Sequence, residues 1–98
     1  MGSYVIRLKL LPQDTATEHQ RIVDSVAGVL PGQAKIRSQR IEPIAFGLSA
    51  IIVDVVAPEE EGVIEKIEAA VSSAPLVGQS ELMGVSRMSS KLVNPGKP

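Results

Sequence analysis

The sequence predicts an α+β sandwich: a four-stranded antiparallel sheet with two helices packed on one of its faces. Three observations carry this. Apolar residues alternate with period two in some segments and recur at helical spacing in others, the segments follow in the order strand, helix, strand, strand, helix, strand, and Pro or Gly punctuates the junctions. A length of 98 residues holds one such domain and leaves no room for a second core.

In the first segment Tyr4, Ile6, Leu8 and Leu10 point one way and Val5, Arg7 and Lys9 the other, a half-buried strand that Pro12 ends. Asp14 to Thr17 supplies capping side chains, and Thr17 with Gln20 has the spacing of a capping box. Ile22, Val26 and Val29, flanked by Val23 and Leu30, form the apolar stripe of a helix that Pro31-Gly32 stops. Ala34 to Ile41 is a polar strand with Lys35, Arg37 and Arg40, the composition of a sheet edge. A connector, Glu42 to Gly47, leads into the β-branched, apolar run Leu48 to Val56, expected in the middle of the sheet.

Pro58 and Glu59 to Glu61 are expected to open the second helix, where carboxylates suit the N-terminal dipole. Ile64, Ile67, Val71 and Ala74 supply its stripe, and Pro75 closes it. Val77 to Met88, loosened by Gly78 and Gly84, is the last strand. One domain over residues 1–88 with a flexible tail over 89–98 follows. Right-handed crossovers put both helices on one face and give the ferredoxin-like βαββαβ arrangement, expected strand order 4-1-3-2. That architecture hosts many functions and selects none.

Composition narrows the functional classes. With no cysteine there is no disulfide and no thiolate chemistry, which fits a reducing cytoplasm, and a net charge of −1 argues against holding nucleic acid by bulk electrostatics. No stretch reaches the ~20 apolar residues of a membrane span. The one histidine, His19, lacks the partners a metal ligand or general base needs, and Ser25, His19 and Asp24 make a triad only on paper. No phosphate-binding loop is present, and Glu59, Glu60, Glu61, Glu65 and Glu68 read as a solvated helix face. Neither catalytic residues nor a metal or cofactor is expected. Arg7, Lys9 and some of Lys35, Arg37 and Arg40 line the open sheet face, but without the aromatics on which an RNA-binding sheet stacks bases.

The chain has one Phe and one Tyr, 2% aromatic in all, and the Phe falls in a connector: Pro43-Ile44-Ala45-Phe46-Gly47-Leu48. Either Phe46 folds back to plug one end of the sandwich, or it is an aromatic anchor presented to a partner by a stiff loop.

At Glu42 to Leu48 the chain resembles the archaeal elongation factor 1-beta family, whose EPIAFGL signature stands just before the third strand. The resemblance runs from Leu8-Lys9 and Pro12 through Leu30-Pro31 to Val85-Ser86-Arg87-Met88, about residues 4 to 88. Two departures stand out: Glu61-Gly62-Val63 keeps one glycine where the family has a pair, and the chain continues about ten residues past Met88.

The resemblance implies guanine-nucleotide exchange on the elongation factor 1-alpha GTPase, by a monomer that uses protein contacts and neither covalent chemistry nor direct nucleic-acid binding. It implies a partner surface of Pro43, Ile44, Phe46, Gly47 and Leu48. In eukaryotic relatives a lysine near the C-terminus reaches the Mg²⁺ site of the GTPase, and Lys91 is the candidate here. Arg87 matches the archaeal terminal motif, either as a partner contact or as a strand-edge ion pair. The alternatives are a small-molecule-binding regulatory domain of the same fold and an RNA-binding module.

Overall fold

A computed structural model of the chain describes residues 2–89. The elements are β1 (Gly2–Pro12), α1 (His19–Val29), β2 (Lys35–Pro43), β3 (Ser49–Pro58), α2 (Val63–Ser72) and β4 (Val77–Ser89). The sheet is antiparallel with order β2-β3-β1-β4, the expected order read from the other edge. Lys91 and the rest of the expected tail lie outside the described residues, while Ser89 is the last residue of β4.

The alternation in β1 is realised. Ile6, Leu8 and Leu10 are buried against the helices, where they meet Ile51, Val53 and Val55 of β3, Ile22, Val23 and Val26 of α1, and Val63, Ile67 and Val71 of α2. Each fully buried aliphatic side chain contributes about 1.5–3 kcal/mol, so this layer holds the fold without an aromatic core. On the opposite face Ile52 is also buried; it pairs with Lys9 on one side and Arg40 on the other, whose alkyl stems suit the cover of an apolar centre.

Several boundaries differ from the expectation for reasons the neighbours supply. β1 begins at Gly2 because β3 and β4 both extend alongside it, to Pro58 and Ser89. The Thr17–Gln20 capping box does not form: Glu18 is the N-cap of α1 and makes no side-chain cap. Asp14 Oδ1 instead accepts hydrogen bonds from the backbone N–H groups of Ala16 and Thr17 and from the Thr17 hydroxyl, while Gln20 donates to Asp24. At its other end α1 stops at Leu30, held extended (φ −65°, ψ 135°) by the steric demand of Pro31 on the residue before it.

β2 runs through Glu42 and Pro43, which leaves only residues 44–48 between the strands. Pro58 and the three glutamates do not form the first turn of α2. Pro58 ends β3, Glu59 donates its backbone N–H to Gly2 O, and Gly62, left-handed at φ 78°, is the N-cap. The buried stripe of α2 therefore starts at Val63, with Ile64 partly buried beside it.

Both glycines of β4 sit at irregularities in its pairing with β1. Arg7 faces Gly84 while Leu8 faces Leu82, which leaves Met83 as the extra residue of a bulge; Gly78 is the extra residue between Gln79 and Val77. At Gly78 a Cβ would stand 2.9 Å from Pro12 O, so the strand approaches the end of β1 through the absence of a side chain.

Candidate functional site

The β2–β3 hairpin closes on Ala45-Phe46-Gly47-Leu48. Leu48 N–H donates to Ala45 O at 2.9 Å, and Ile44 N–H donates to Leu48 O at 2.9 Å. The two central residues are both left-handed, Phe46 at φ 54° and Gly47 at φ 78°, the pattern of a type I′ turn. Such turns match the twist of the flanking strands and favour Asn-Gly or Gly-Gly. Glycine suits the second position, but at the first a large L side chain costs about 1–2 kcal/mol.

Phe46 does not fold back over the end of the sandwich. It is 99% exposed, and the turn that holds it carries it away from the core. Ile44 and Leu48, paired at the base of the turn, and Ile41 farther down β2 are between 43% and 47% exposed. Beside the hairpin a groove of about 270 Å³ runs between Gly47–Ser49 and the β1–α1 loop, with Asp14, Glu18 and His19 along it. His19 and Asp24 do not form a triad with Ser25, whose hydroxyl donates to Pro75 O at 2.5 Å. Among the described residues no group of three or more His, Cys, Asp or Glu side chains is placed to hold a metal.

Arg87 lies at the other end of the sheet. It pairs across strands with Tyr4, which is level with Ala57 of β3, whereas the hairpin turn lies beyond Ile51 at Phe46 and Gly47; at about 3.3 Å per residue the separation along the strand is on the order of 35 Å. The Arg87 guanidinium carbon is 5.9 Å from the centre of the Tyr4 ring, and its Nε is 2.9 Å from Glu59 Oε2. The Tyr4 hydroxyl and then the Glu59 charge push the Arg87 pKa further above its ordinary value. Leu82, Met83, Val85 and Met88 add apolar exposure along the same strand. Sequence reasoning named Arg87 but missed Glu59 and Tyr4 as its neighbours, because nothing in a window around residue 87 announces them.

On the open face Arg7 forms a fork with Asp54, Nε to Oδ1 at 2.8 Å and Nη2 to Oδ2 at 3.1 Å, and Ser38 Oγ donates to the same carboxylate at 3.2 Å. The Arg7 hydrogen bond holds the Asp54 pKa below its ordinary range, against the desolvation of a largely covered carboxyl. Arg37 and Arg40 line shallow grooves on this face. Neither aromatic of the chain belongs to it: Tyr4 points with Ile6 and Leu8 toward the helices, and Phe46 is on the hairpin. With Arg7 engaged and no ring to stack on, the face matches solubilising polarity better than a base-binding platform.

The fold and this geometry together define a small ferredoxin-like domain that offers a rigid, solvent-facing aromatic at one end of its sheet and a seated arginine at the other. The chain belongs to the family of the EF-1 guanine nucleotide exchange domain, whose model matches residues 5–88. It is 33% identical over 90 residues to elongation factor 1-beta of Thermofilum pendens, covering 91% of this chain and 99% of that protein. Elongation factor 1-beta of Staphylothermus marinus is 35% identical over 89 residues, with 90% and 99% covered. Among solved structures, the C-terminal domain of the MgtC protein from Mycobacterium tuberculosis is similar with a TM-score of 0.50, 12% identity and coverage of 96% and 95%, a likeness of fold alone. Among the described residues no helix is long and apolar enough to cross a membrane.

Proposed function

We propose that this chain promotes the release of GDP from elongation factor 1-alpha in the cytoplasm, acting as a monomer through protein contacts alone. Family membership supports the activity, and one observation supports the means: a phenylalanine held 99% exposed in a left-handed turn conformation. Backbone strain of this kind persists where the surroundings enforce it, and it collects at binding sites. A ring that gives the fold nothing in exchange for that strain gives its burial energy to whatever docks on it.

The physics is linkage. A protein that binds the emptied GTPase better than the loaded one weakens GDP by the same factor. About 4 kcal/mol of preferential stabilisation along the release path accelerates release ~1,000-fold. Phe46, with Pro43, Ile44, Gly47 and Leu48 around it, is the anchor. Arg87, on the order of 35 Å away at about 3.3 Å per residue, is a second contact, so the partner is gripped along the length of the sheet. Lys91 lies beyond the described residues; its role in this proposal is to compete with Mg²⁺ for oxygen ligands in the GTPase.

The test is the rate of labelled GDP release from the matching GTPase with and without the protein, and with a chain ending at Ser90. Acceleration by the full chain is expected, antagonised by excess Mg²⁺ at matched ionic strength. The shortened chain is expected to bind the nucleotide-free GTPase yet exchange more slowly. No acceleration by the full chain refutes the function; equal rates for the two chains remove Lys91 from it.

A further inference from the structure

Arg87 is 69% exposed, but it is not loose. Its cross-strand partner Tyr4 lies under the guanidinium, and Glu59 stands against its Nε. Glu59 is itself fixed. Its backbone N–H donates to Gly2 O at 3.2 Å, and its side chain is only 27% exposed. Its Oε2 is buried and has no hydrogen-bond donor among the described residues, since the 2.9 Å approach of Arg87 is an ion pair without hydrogen-bond alignment. Gly2 leaves the space: a Cβ there would stand 2.6 Å from Oε2 and 2.9 Å from Cδ of Glu59. Gly2 and Tyr4 of β1 and Glu59 of the β3–α2 connector thus converge on the guanidinium of Arg87 in β4.

A surface ion pair that served the fold alone would not need a covered carboxylate, since exposed pairs contribute little. An arginine whose Nε side is occupied still has its Nη end, which suits a carboxylate or phosphate oxyanion. Fixing a long side chain before association removes an ordering cost from the binding step.

We infer that Glu59 and Tyr4 are positioning residues that present the Nη end of Arg87 to an oxyanion in the GTPase complex, with Gly2 as the clearance that lets Glu59 reach it. The inference rests on the exchange-factor reading above. The oxyanion is a side-chain carboxylate of the GTPase or a phosphate of its nucleotide, and the two sources separate by experiment.

The dissociation constant of the complex with nucleotide-free and with GDP-loaded GTPase is measured for the full chain and its variants. Arg87→Lys, which keeps the charge and loses the fork, is expected to weaken binding about tenfold. Weakening of the nucleotide-free complex identifies a protein carboxylate; weakening confined to the GDP-loaded complex identifies a phosphate. Glu59→Gln and Gly2→Ala, the latter displacing only the end of a side chain, are each expected to weaken the same complex roughly threefold to tenfold with little change in melting temperature. Adding Glu59→Gln to Arg87→Lys is expected to weaken it no further, because the first residue acts through the second.

The inference is overturned if Arg87→Lys binds like the parent in both states, or if Glu59→Gln has no effect where Arg87→Lys does. Phe46→Ala is the control that separates the two levels. Loss of exchange in Phe46→Ala with no effect at Arg87 keeps the function and removes this inference, whereas a parent chain that never accelerates GDP release removes the function itself.

Discussion

Replacing Phe46 with Asn separates what the ring does for the fold from what it does for a partner. The ring is 99% exposed, so its removal uncovers no core and leaves no cavity. Asn tolerates the left-handed conformation that Phe46 holds at φ 54°, and it creates the Asn-Gly pair that type I′ turns favour. Recovery of part of the 1–2 kcal/mol strain predicts stabilisation of about 1 kcal/mol, or a melting temperature higher by roughly 4–8 °C for a domain of this size. In the complex the balance reverses. A Phe side chain buried by a partner is worth about 1.5–3 kcal/mol, which converts to a loss of roughly 10- to 150-fold in GDP-release efficiency. Thermal unfolding and labelled-GDP release on the same preparation give both numbers. Phe46→Ala keeps a Cβ in the left-handed turn and is expected to lose activity with stability unchanged within about 0.5 kcal/mol. An Asn variant that exchanges nucleotide at the parent rate, or one that melts several degrees lower, would refute the reasoning.

Two predictions concern the scaffold. Asp54→Asn is expected to cost about 0.5–1 kcal/mol at neutral pH, because the Arg7 fork is half open to solvent. Since Arg7 depresses the Asp54 pKa in the folded chain, the contribution is present above the ordinary carboxylate value of 3.8 and is lost as pH falls through the lower folded value. Parent and variant stability curves should therefore converge in acid, and a constant gap would assign the loss to packing. Gly78→Ala places a Cβ 2.9 Å from Pro12 O and 3.1 Å from Gln13 Cα, both backbone, and is expected to cost about 1–3 kcal/mol. Gly84→Ala meets nothing within 4 Å and should change stability by under about 0.5 kcal/mol; equal denaturant midpoints for the two variants would show that the β1 end yields easily.

The sequence by itself determined the order of elements, the inward faces of β1 and α1, and the segment around Phe46. Each of these is written in a short window, where period, turn chemistry or a motif speaks without reference to distant residues. It also named Arg87 through a terminal motif. Tertiary structure decided the rest. Strand ends followed neighbouring strands, so Pro58 closed β3 when local composition pointed to a helix start, and the dipole argument for Glu59 to Glu61 lost to pairing with Gly2. Whether Phe46 plugs the core or projects from it depended on the hand of a turn, set by the twist of two strands that pair at long range. The seat of Arg87 needed Gly2, Tyr4 and Glu59, which are remote in sequence and meet only after the sheet has assembled, and the Arg7–Asp54 fork joins residues 47 apart. Local signals fix which face a side chain takes; what it meets on that face belongs to the fold.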